Sequence, residues 1–313
     1  MNSTNATTPT VVLCPGQGAQ HVGMGKGWFD HAPVAAQTFA AADRAMGFAI
    51  SDLCFNGPED RLNRTDVAQA AIYTTSAACY QALFEAEVVD SVSVTAGLSL
   101  GEFTALHIAG AFDFLDGLQL VRLRGQAMQE AAEAVPSGMV ALIGADEPTA
   151  DELCDQAAGS GGGDVLVPAN FNCPGQVVIS GTQAACERAL TVAEKMGLRA
   201  TPLAVAGAFH SPLMQPAADR LAAALDEVQW NTPTATVYSN VTAGPHDADD
   251  IASIKQRLVE QLTSPVRWSQ SMEQMLADCP DHRLVELAPG KVLSGLMRRI
   301  NRKAKVENFA EAK

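Results

Sequence analysis

The chain has 313 residues, of which 47% are hydrophobic and 5% are aromatic, and its formal net charge at pH 7 is −14. This length and apolar fraction predict a globular protein with one large or two medium domains and a sizeable core. The negative charge argues against nonspecific nucleic-acid binding as a main function, because such binding depends on positive charge.

The first ten residues are polar and uncharged, and they lack the positive cluster and the apolar core of a signal peptide. We expect them to form an unstructured tail. No apolar run approaches the roughly 20 residues that span a bilayer. The seven cysteines include no pair with CxxC spacing, and no two histidines have metal-ligand spacing. We therefore predict a soluble cytoplasmic protein that binds no metal and no membrane and keeps its cysteines reduced.

Strands and helices alternate in the first half of the chain. Residues 11–14 are a short apolar run that ends at a Pro-Gly pair and predicts a buried strand, and residues 91–96 predict another. Helical patterns follow, one ending near residue 109 and one at 113–134. This alternation, with many Ala, Gly and Val residues, favours an α/β fold.

The middle of the chain has the element order β-α-β-β-α-β of a ferredoxin-like unit. Its predicted strands and helices are, in order, 139–143, 147–158, 164–168, 176–180, 182–196 and 199–205. We therefore predict a small α+β domain at 132–204, inserted into a larger α/β domain made of 1–131 and 205–313. Residues 159–163 (Gly-Ser-Gly-Gly-Gly) predict a flexible loop inside the insert.

Four helices and two short strands are predicted after the insert. The helices are 211–228, 251–262, 267–277 and 295–300, and the strands are 236–239 and 284–287. Between the first of these strands and the next helix lies an acidic loop at 244–250. It carries His246, which we expect on the surface.

A serine stands where the second strand turns into a helix. Gly97-Leu98-Ser99-Leu100-Gly101 has the GxSxG spacing of a nucleophile elbow, a sharp turn that requires small residues two positions before and after the serine. The N–H of Leu100, at a helix N-terminus, can stabilise an oxyanion. At ordinary glycine and serine frequencies the spacing occurs by chance in roughly one chain in ten, but the strand-to-helix context favours a nucleophile.

A nucleophilic serine needs a base, and the chain has six histidines. His21 and His210 lie in loops after predicted strands, where catalytic groups gather, and the pattern does not decide between them. His107 is expected in the core. The stretch from Gly16 to His21 lacks the last glycine of a dinucleotide motif. It predicts either an ordinary turn or a sharp loop that supplies a second oxyanion N–H.

Seven short motifs occur in order along nearly the whole chain. They are residues 15–20 (PGQGAQ), 97–102 (GLSLGE), 124–129 (RGQAMQ), 169–172 (ANFN) with 174–179 (PGQVVI), 208–214 (AFHSPLM), 265–268 (PVRW) and 289–293 (PGKVL). Each motif is weak alone. Together they resemble the malonyl-CoA:acyl-carrier-protein transacylase family, which loads malonyl units in fatty acid and polyketide synthesis.

The resemblance implies a hydrolase-like large domain with a mostly parallel sheet, and a ferredoxin-like insert. It implies that Ser99 is the nucleophile and His210 the base. The backbone carbonyl of Gln261 would orient the histidine in place of a carboxylate. The backbone N–H groups of Gln17 and Leu100 would form the oxyanion hole.

The resemblance also implies three substrate-binding side chains: Arg124, Asn170 and Phe209. A guanidinium binds a carboxylate through two parallel hydrogen bonds, so Arg124 would select malonyl over acetyl groups. Asn170 matches an active-site asparagine of the small domain, and the ring of Phe209 would crowd an α-methyl group. The chain departs from the family at Leu98, where histidine is usual, and at Cys173, where serine is common.

We therefore predict transfer of malonyl from malonyl-CoA to the phosphopantetheine thiol of acyl carrier protein through a malonyl-serine, supplying extender units for fatty acid synthesis. One thioester replaces another, so no cofactor is expected beyond the CoA thioester, which is a substrate, and the protein is expected to be a monomer. The alternatives are a polyketide-pathway acyltransferase, a hydrolase acting on acyl carrier proteins, and a non-catalytic scaffold. Arg124 argues against the hydrolase, and the presence of Ser99, His210 and Arg124 together argues against the scaffold.

A basic cluster lies near the end of this otherwise acidic chain. It comprises Lys291, Arg298, Arg299, Arg302, Lys303 and Lys305, with no acidic residue among them. Since acyl carrier proteins of this pathway are strongly acidic, we predict that Arg298 and Arg299, on the last predicted helix, contribute to carrier docking. A solvated helix face is the alternative.

Overall fold

The computed structural model describes residues 8–159 and 163–312. Most of the tail predicted at 1–10, and the centre of the loop predicted at 159–163, therefore lie outside the described residues. Within the described part of the chain, no helix is both long and apolar enough to cross a membrane. All seven cysteines are buried and free.

The described residues contain nine strands in two sheets. The strands are β1 (Thr10–Cys14), β2 (Val92–Gly97), β3 (Ser137–Ile143), β4 (Leu166–Cys173), β5 (Gln176–Thr182), β6 (Arg199–Pro202), β7 (Thr236–Tyr238), β8 (Arg283–Leu287) and β9 (Val306–Phe309). The larger sheet has the order β7-β2-β1-β8-β9 and every neighbouring pair in it is parallel. Its central strand β1 is buried along its whole length, as a parallel strand covered on both faces requires. The predicted α/β fold is confirmed.

Thirteen α-helices are present in the described ranges. They are α1 (Lys26–His31), α2 (Pro33–Met46), α3 (Ile50–Asn56), α4 (Glu59–Leu62), α5 (Thr65–Glu85), α6 (Gly101–Ile108), α7 (Phe114–Ala134), α8 (Glu147–Ala157), α9 (Gln183–Lys195), α10 (Gln215–Glu227), α11 (Ile251–Glu260), α12 (Trp268–Asp278) and α13 (Val292–Ile300). The first five received no assignment from the sequence. The usual sign of a helix in a sequence is a set of apolar residues spaced so that they share one face. In α5 the buried residues follow one another along most of the helix, so this sign is missing.

The insert folds as predicted into a β-α-β-β-α-β unit. Its four strands form an antiparallel sheet in the order β4-β5-β3-β6, and α8 and α9 pack on that sheet. This second sheet lies between Ser137 and Pro202. The domain limits of 132 and 204 remain a prediction.

Strand β4 extends further than predicted and ties the insert to the rest of the chain. It was expected to end at Pro168, where its pairing with β5 does shift register, but it continues to Cys173. Its other edge pairs with Val266, whose N–H donates to the Ala169 carbonyl at 2.8 Å and whose carbonyl accepts the Phe171 N–H at 2.9 Å. This bridge joins Asn170 to the segment that precedes α12.

Candidate active site

The turn that carries Ser99 is forced into a strained shape by close backbone packing. Strand β2 ends at Gly97 and α6 begins at Gly101. A Cβ on Gly97 would lie 1.9 Å from the carbonyl carbon of Gly101, and a Cβ on Gly101 would lie 2.1 Å from the Cys14 oxygen. Ser99 itself has a φ of 52°, which L residues rarely adopt. The packing explains why glycine is needed on both sides of the serine.

Ser99 and His210 are hydrogen-bonded in an arrangement that fixes the histidine tautomer. The distance from Ser99 Oγ to His210 Nε2 is 2.8 Å, and that from His210 Nδ1 to the Gln261 backbone oxygen is 2.7 Å. A carbonyl oxygen only accepts, so Nδ1 carries the proton and Nε2 is left to accept the serine hydroxyl. The histidine is therefore set to act as a base.

The environment of His210 keeps it neutral. The side chain is almost wholly buried, with 4% of the residue exposed. Burial lowers the pKa of His210 to about 4, and the nearby Arg124 charge acts in the same direction, whereas the hydrogen bond to Gln261 opposes both. At neutral pH the imidazole is therefore unprotonated and ready to take a proton.

Arg124, on α7, lies beside the serine with only 1% of its surface exposed. Its Nη1 donates to Oε1 of Gln69 at 2.7 Å, and its Nη2 donates to Oε1 of Gln261 at 2.8 Å and to Oγ of Ser99 at 3.0 Å. Burial lowers the pKa of Arg124 to about 10, and the charge of Glu102 opposes the shift, so the guanidinium remains charged at neutral pH. Among the described residues no carboxylate accepts a hydrogen bond from it.

A cleft of about 480 Å³ opens above these side chains. We call it the catalytic cleft. Arg124, Ser99, Phe209 and His210 line one side of it. Its other lining residues include Gln17, Leu98, Met128, Met139, Asn170, Asn172, Gln176, Val178, Leu203, Val292 and Leu296. The small sheet, together with loops and helices of the rest of the chain, thus encloses a mostly apolar space with one buried cation at its base.

Two backbone N–H groups near the serine have no acceptor within the described residues: those of Gln17 and Leu100. The loop that carries Gln17 approaches the serine turn closely, since a Cβ on Gly16 would lie 2.2 Å from the Leu98 oxygen. Gln17 also lines the catalytic cleft. The predicted oxyanion donors are therefore adjacent to the serine turn and available, although their role remains a prediction.

The structure brings one of the two candidate histidines to Ser99. His210 contacts it, whereas His21 is exposed and its ring pairs with the Val22 carbonyl. His107, which was expected in the core, is half-buried, and its ring packs against Tyr73.

The prediction for His246 was wrong. It was expected on the surface of an acidic loop, but the residue is 8% exposed. Its Nε2 lies 2.7 Å from Oε1 of the buried Glu102. Burial of this carboxylate requires hydrogen-bond donors, and His246 supplies one.

Four polar side chains around the site were not predicted: Gln69, Glu102, Asn240 and the carboxamide of Gln261. Asn240 Oδ1 accepts the Ser99 N–H at 2.6 Å, and its Nδ2 donates to the Gly97 carbonyl at 2.8 Å. Glu102 stands inside the GLSLGE motif, so its position was visible in the sequence. The other three lie in segments whose nearness to the serine only the fold determines.

The two predicted docking arginines lie near the mouth of the catalytic cleft. Arg298 and Arg299 are exposed on α13, and together with Arg302 and Pro174 they line a second, shallow depression. Nη1 of Arg299 donates to Oε1 of Gln176 at 3.2 Å, and Gln176 also lines the catalytic cleft.

Within the described ranges, no group of three or more His, Cys, Asp or Glu side chains is placed to hold a metal ion.

Comparison with known proteins finds close relatives. Residues 11–312 match the family described as acyl transferase domain. The chain is 41% identical over 294 residues to the malonyl CoA-acyl carrier protein transacylase of Bacillus subtilis (94% of this chain, 90% of the relative). It is 42% identical over 294 residues to that of Escherichia coli strain K12 (94% and 93%).

Solved structures give the same result. The malonyl-CoA:acyl carrier protein transacylase of Xanthomonas oryzae superposes with a TM-score of 0.90 at 42% identity, covering 97% of this chain and 95% of that one. A malonyl-transacylase solved in complex with its type II polyketide-synthase acyl carrier protein superposes with a TM-score of 0.89 at 37% identity, covering 97% of each chain.

Proposed function

The chain belongs to the acyl transferase domain family, and from this premise we propose that it transfers malonyl from malonyl-CoA to the phosphopantetheine thiol of an acyl carrier protein, supplying extender units for fatty acid synthesis. The observation that carries the proposal is the position of Arg124. Its buried guanidinium lies 3.0 Å from the Ser99 hydroxyl and has no carboxylate partner among the described residues.

In the first half-reaction Ser99 becomes acylated. His210 Nε2 takes the hydroxyl proton as Oγ attacks the thioester carbonyl carbon of malonyl-CoA. The oxyanion of the tetrahedral intermediate accepts hydrogen bonds from the N–H groups of Gln17 and Leu100. When the intermediate collapses, the C–S bond breaks, and His210 returns the proton to the CoA sulfur.

In the second half-reaction the carrier thiol takes the acyl group. His210 accepts the thiol proton, and the sulfur attacks the carbonyl carbon of the malonyl-serine. The C–O bond to Ser99 breaks, and the proton passes from His210 to the serine oxygen. A thioester is consumed and a thioester is formed, so the residues present account for every proton and bond without a cofactor.

Selection of malonyl follows from the desolvated charge of Arg124. A malonyl carboxylate supplies the anion that the guanidinium lacks, whereas an acetyl group leaves the buried cation unpaired. Phe209, at the cleft wall beside His210, and Asn170, held over the cleft by the β4–Val266 bridge, complete the proposed acyl site. The monomeric state and the cytoplasmic location remain predictions from the sequence.

The test is to incubate the protein with malonyl-CoA and measure its intact mass. We expect a malonyl adduct that maps to Ser99, is absent from Ser99→Ala and forms poorly with acetyl-CoA. The adduct should be lost slowly to water and quickly to holo acyl carrier protein. Fast loss to water without transfer would instead establish a hydrolase.

A second candidate is supply of a polyketide pathway. The similarity to the transacylase solved with a type II polyketide-synthase carrier protein favours this candidate. Transfer rates to holo carrier proteins of both pathways, at equal concentration, distinguish the two functions. We expect the higher kcat/KM with the fatty acid carrier.

A further inference from the structure

A buried carboxylate lies directly behind the serine turn. Glu102 is in the first turn of α6, and its side chain is 0% exposed. Its Oε1 accepts from Nε2 of His246 at 2.7 Å. Its Oε2 accepts from Nε2 of Gln261 at 2.7 Å and from the Asn240 N–H at 3.1 Å. The carboxylate thus joins the serine turn to three residues that are distant from it in sequence.

Gln261 is the shared partner of the two groups that the proposed mechanism uses most. Its backbone oxygen accepts from Nδ1 of His210 at 2.7 Å, and its Oε1 accepts from Nη2 of Arg124 at 2.8 Å. Its Nε2 donates to Glu102 and, at 3.1 Å, to the Ser99 carbonyl. One residue therefore connects the base, the cation and the serine turn.

The orientation of the Gln261 carboxamide depends on Glu102. A guanidinium only donates hydrogen bonds and a carboxylate only accepts them. Oε1 therefore faces Arg124 because Nε2 faces Glu102, and a flipped amide would set donor against donor at one end and acceptor against acceptor at the other. Without Glu102, only the Ser99 carbonyl and a distant Asn240 oxygen, at 3.5 Å, would hold the amide nitrogen.

We propose that Glu102, fixed by His246, is a positioning residue for acyl transfer: it sets the Gln261 carboxamide, and through it the placement of Arg124 beside Ser99. This inference rests on the proposed function, because the carboxylate selectivity of Arg124 is what the positioning serves. Neither Glu102 nor His246 lines the catalytic cleft, so both act through Gln261 without touching substrate.

Two variants of similar size distinguish the effect of where the Glu102 side chain ends from the effect of its charge. Glu102→Gln keeps the length of the side chain. Its oxygen can accept from Gln261 and Asn240 while its NH2 group donates to the other tautomer of His246. Glu102→Asp keeps the charge but withdraws it by one methylene. For malonyl-CoA we expect kcat/KM to be highest in the natural protein, intermediate in Glu102→Gln, and lower by roughly 10- to 100-fold in Glu102→Asp, the scale of a misplaced catalytic group.

The readout that a merely structural role would not move is the ratio of malonyl-CoA to acetyl-CoA turnover. Both rates should be divided by the number of sites that react with an active-site sulfonyl fluoride, which removes unfolded protein from the comparison. Displacement of Arg124 lowers malonyl turnover and leaves acetyl turnover much less affected, so the ratio should fall in Glu102→Asp. His246→Gln, which keeps a donor, should lower the ratio less.

A double variant tests the route through Gln261. Gln261→Leu removes the carboxamide but keeps the backbone carbonyl that orients His210. Combining it with Glu102→Asp should lower the ratio no further than Gln261→Leu does alone. The inference would be overturned if the two substitutions lowered the ratio independently, so that the double variant showed the product of the two single effects. An unchanged ratio in Glu102→Asp would also overturn it, as would higher activity in Glu102→Asp than in Glu102→Gln. The natural protein is the control for the proposed function, since failure of malonyl-serine to form there would refute that proposal instead.

Discussion

Two arginine sites lie near the catalytic cleft, and they differ in their contact with water. Arg124 is 1% exposed, and its guanidinium donates to Gln69, Gln261 and Ser99. Arg298 and Arg299 are exposed on α13, and Arg299 donates a hydrogen bond to the Gln176 side chain. The same side chain is thus rigidly held in one place and solvated in the other.

The difference separates two uses of a positive charge. Inside the protein the attraction between Arg124 and an anion is strong, and a missing anion is costly, because water cannot replace it. At the surface, water and salt limit the field of Arg298 and Arg299 to about 8 Å at physiological ionic strength. We therefore expect the buried arginine to choose the acyl group and the exposed pair to influence only the rate of encounter.

The largest loss of activity is expected when the base beside Ser99 is removed. His210→Ala should reduce malonyl-serine formation on the order of 10³-fold or more, while the oxyanion donors leave some residual activity. His21→Ala should react like the natural protein, because its ring is exposed and pairs with the Val22 carbonyl, whereas Ser99 is hydrogen-bonded to His210. Intact mass after timed exposure to malonyl-CoA measures both. An unimpaired His210→Ala would remove the proposed mechanism.

Removing the buried cation should come next. Arg124→Ala should cost about 2–5 kcal/mol of transition-state stabilisation with malonyl-CoA, the usual range when one member of a buried charge pair is lost. Acetyl-CoA turnover should fall much less or rise. The ratio of kcat/KM for the two substrates is the measurement. Equal losses would show that Arg124 is structural and would break the contrast between the two arginine sites.

Packing of Phe209 at the cleft wall should give a smaller preference between acyl substrates than Arg124 does. Phe209 is 6% exposed and lines the cleft next to His210. A ring fixed there leaves little room for an α-methyl group, so malonyl should be preferred over methylmalonyl by roughly 1–3 kcal/mol. Phe209→Leu should narrow that preference. Equal kcat/KM for the two acyl-CoA substrates in the natural protein would contradict this role.

The pH profile should show the buried environment of the base. Because the pKa of His210 is lowered to about 4, chiefly by burial, its basic form persists down to that pH and is lost below it. Labelling of Ser99 by an uncharged sulfonyl fluoride should therefore be constant from pH 8 to about 5 and fall about tenfold per pH unit below 4. Circular dichroism at each pH must show that the protein remains folded. A midpoint near 6.5 would mean that the imidazole is solvated.

The sequence was sufficient to predict the parts of the site whose geometry is set by residues close together in the chain. Gly97 and Gly101 are four residues apart, and the clash of a Cβ on Gly97 with the Gly101 backbone follows from the turn itself, whereas the clash at Gly101 is with Cys14 at the end of β1. The choice between His21 and His210 could not be made locally, because it depends on which loop the fold brings to Ser99. Family motifs supplied that choice, and the 2.8 Å contact agrees with it.

His246 shows why charge patterns mislead about burial. Its neighbours Asp247, Asp249 and Asp250 indicate a solvated loop, yet its partner Glu102 lies 144 positions earlier in the chain. A single buried carboxylate outweighs the local composition, because leaving it without donors would cost more than burying the histidine. No pattern within the loop carries that information.

The exposed arginines should give the smallest effect, and a different kind of effect. In a protein with a net charge of −14, an acidic carrier protein is repelled on average, so the basic cluster near the cleft mouth should steer its approach. Arg298→Glu combined with Arg299→Glu should lower kcat/KM for holo acyl carrier protein by roughly 3- to 10-fold at low salt and weaken its salt dependence. Transfer to free pantetheine, which carries no such charge, should be unchanged.

The matched control is Arg220→Glu, an exposed arginine paired with Glu130 on the surface between α7 and α10. Loss with both acceptors would assign the pair to CoA binding or folding, and no loss with either would leave it as a solvated helix face. If the double variant instead altered the malonyl-to-acetyl ratio, the exposed arginines would be choosing the acyl group, and the division between the two arginine sites would fail.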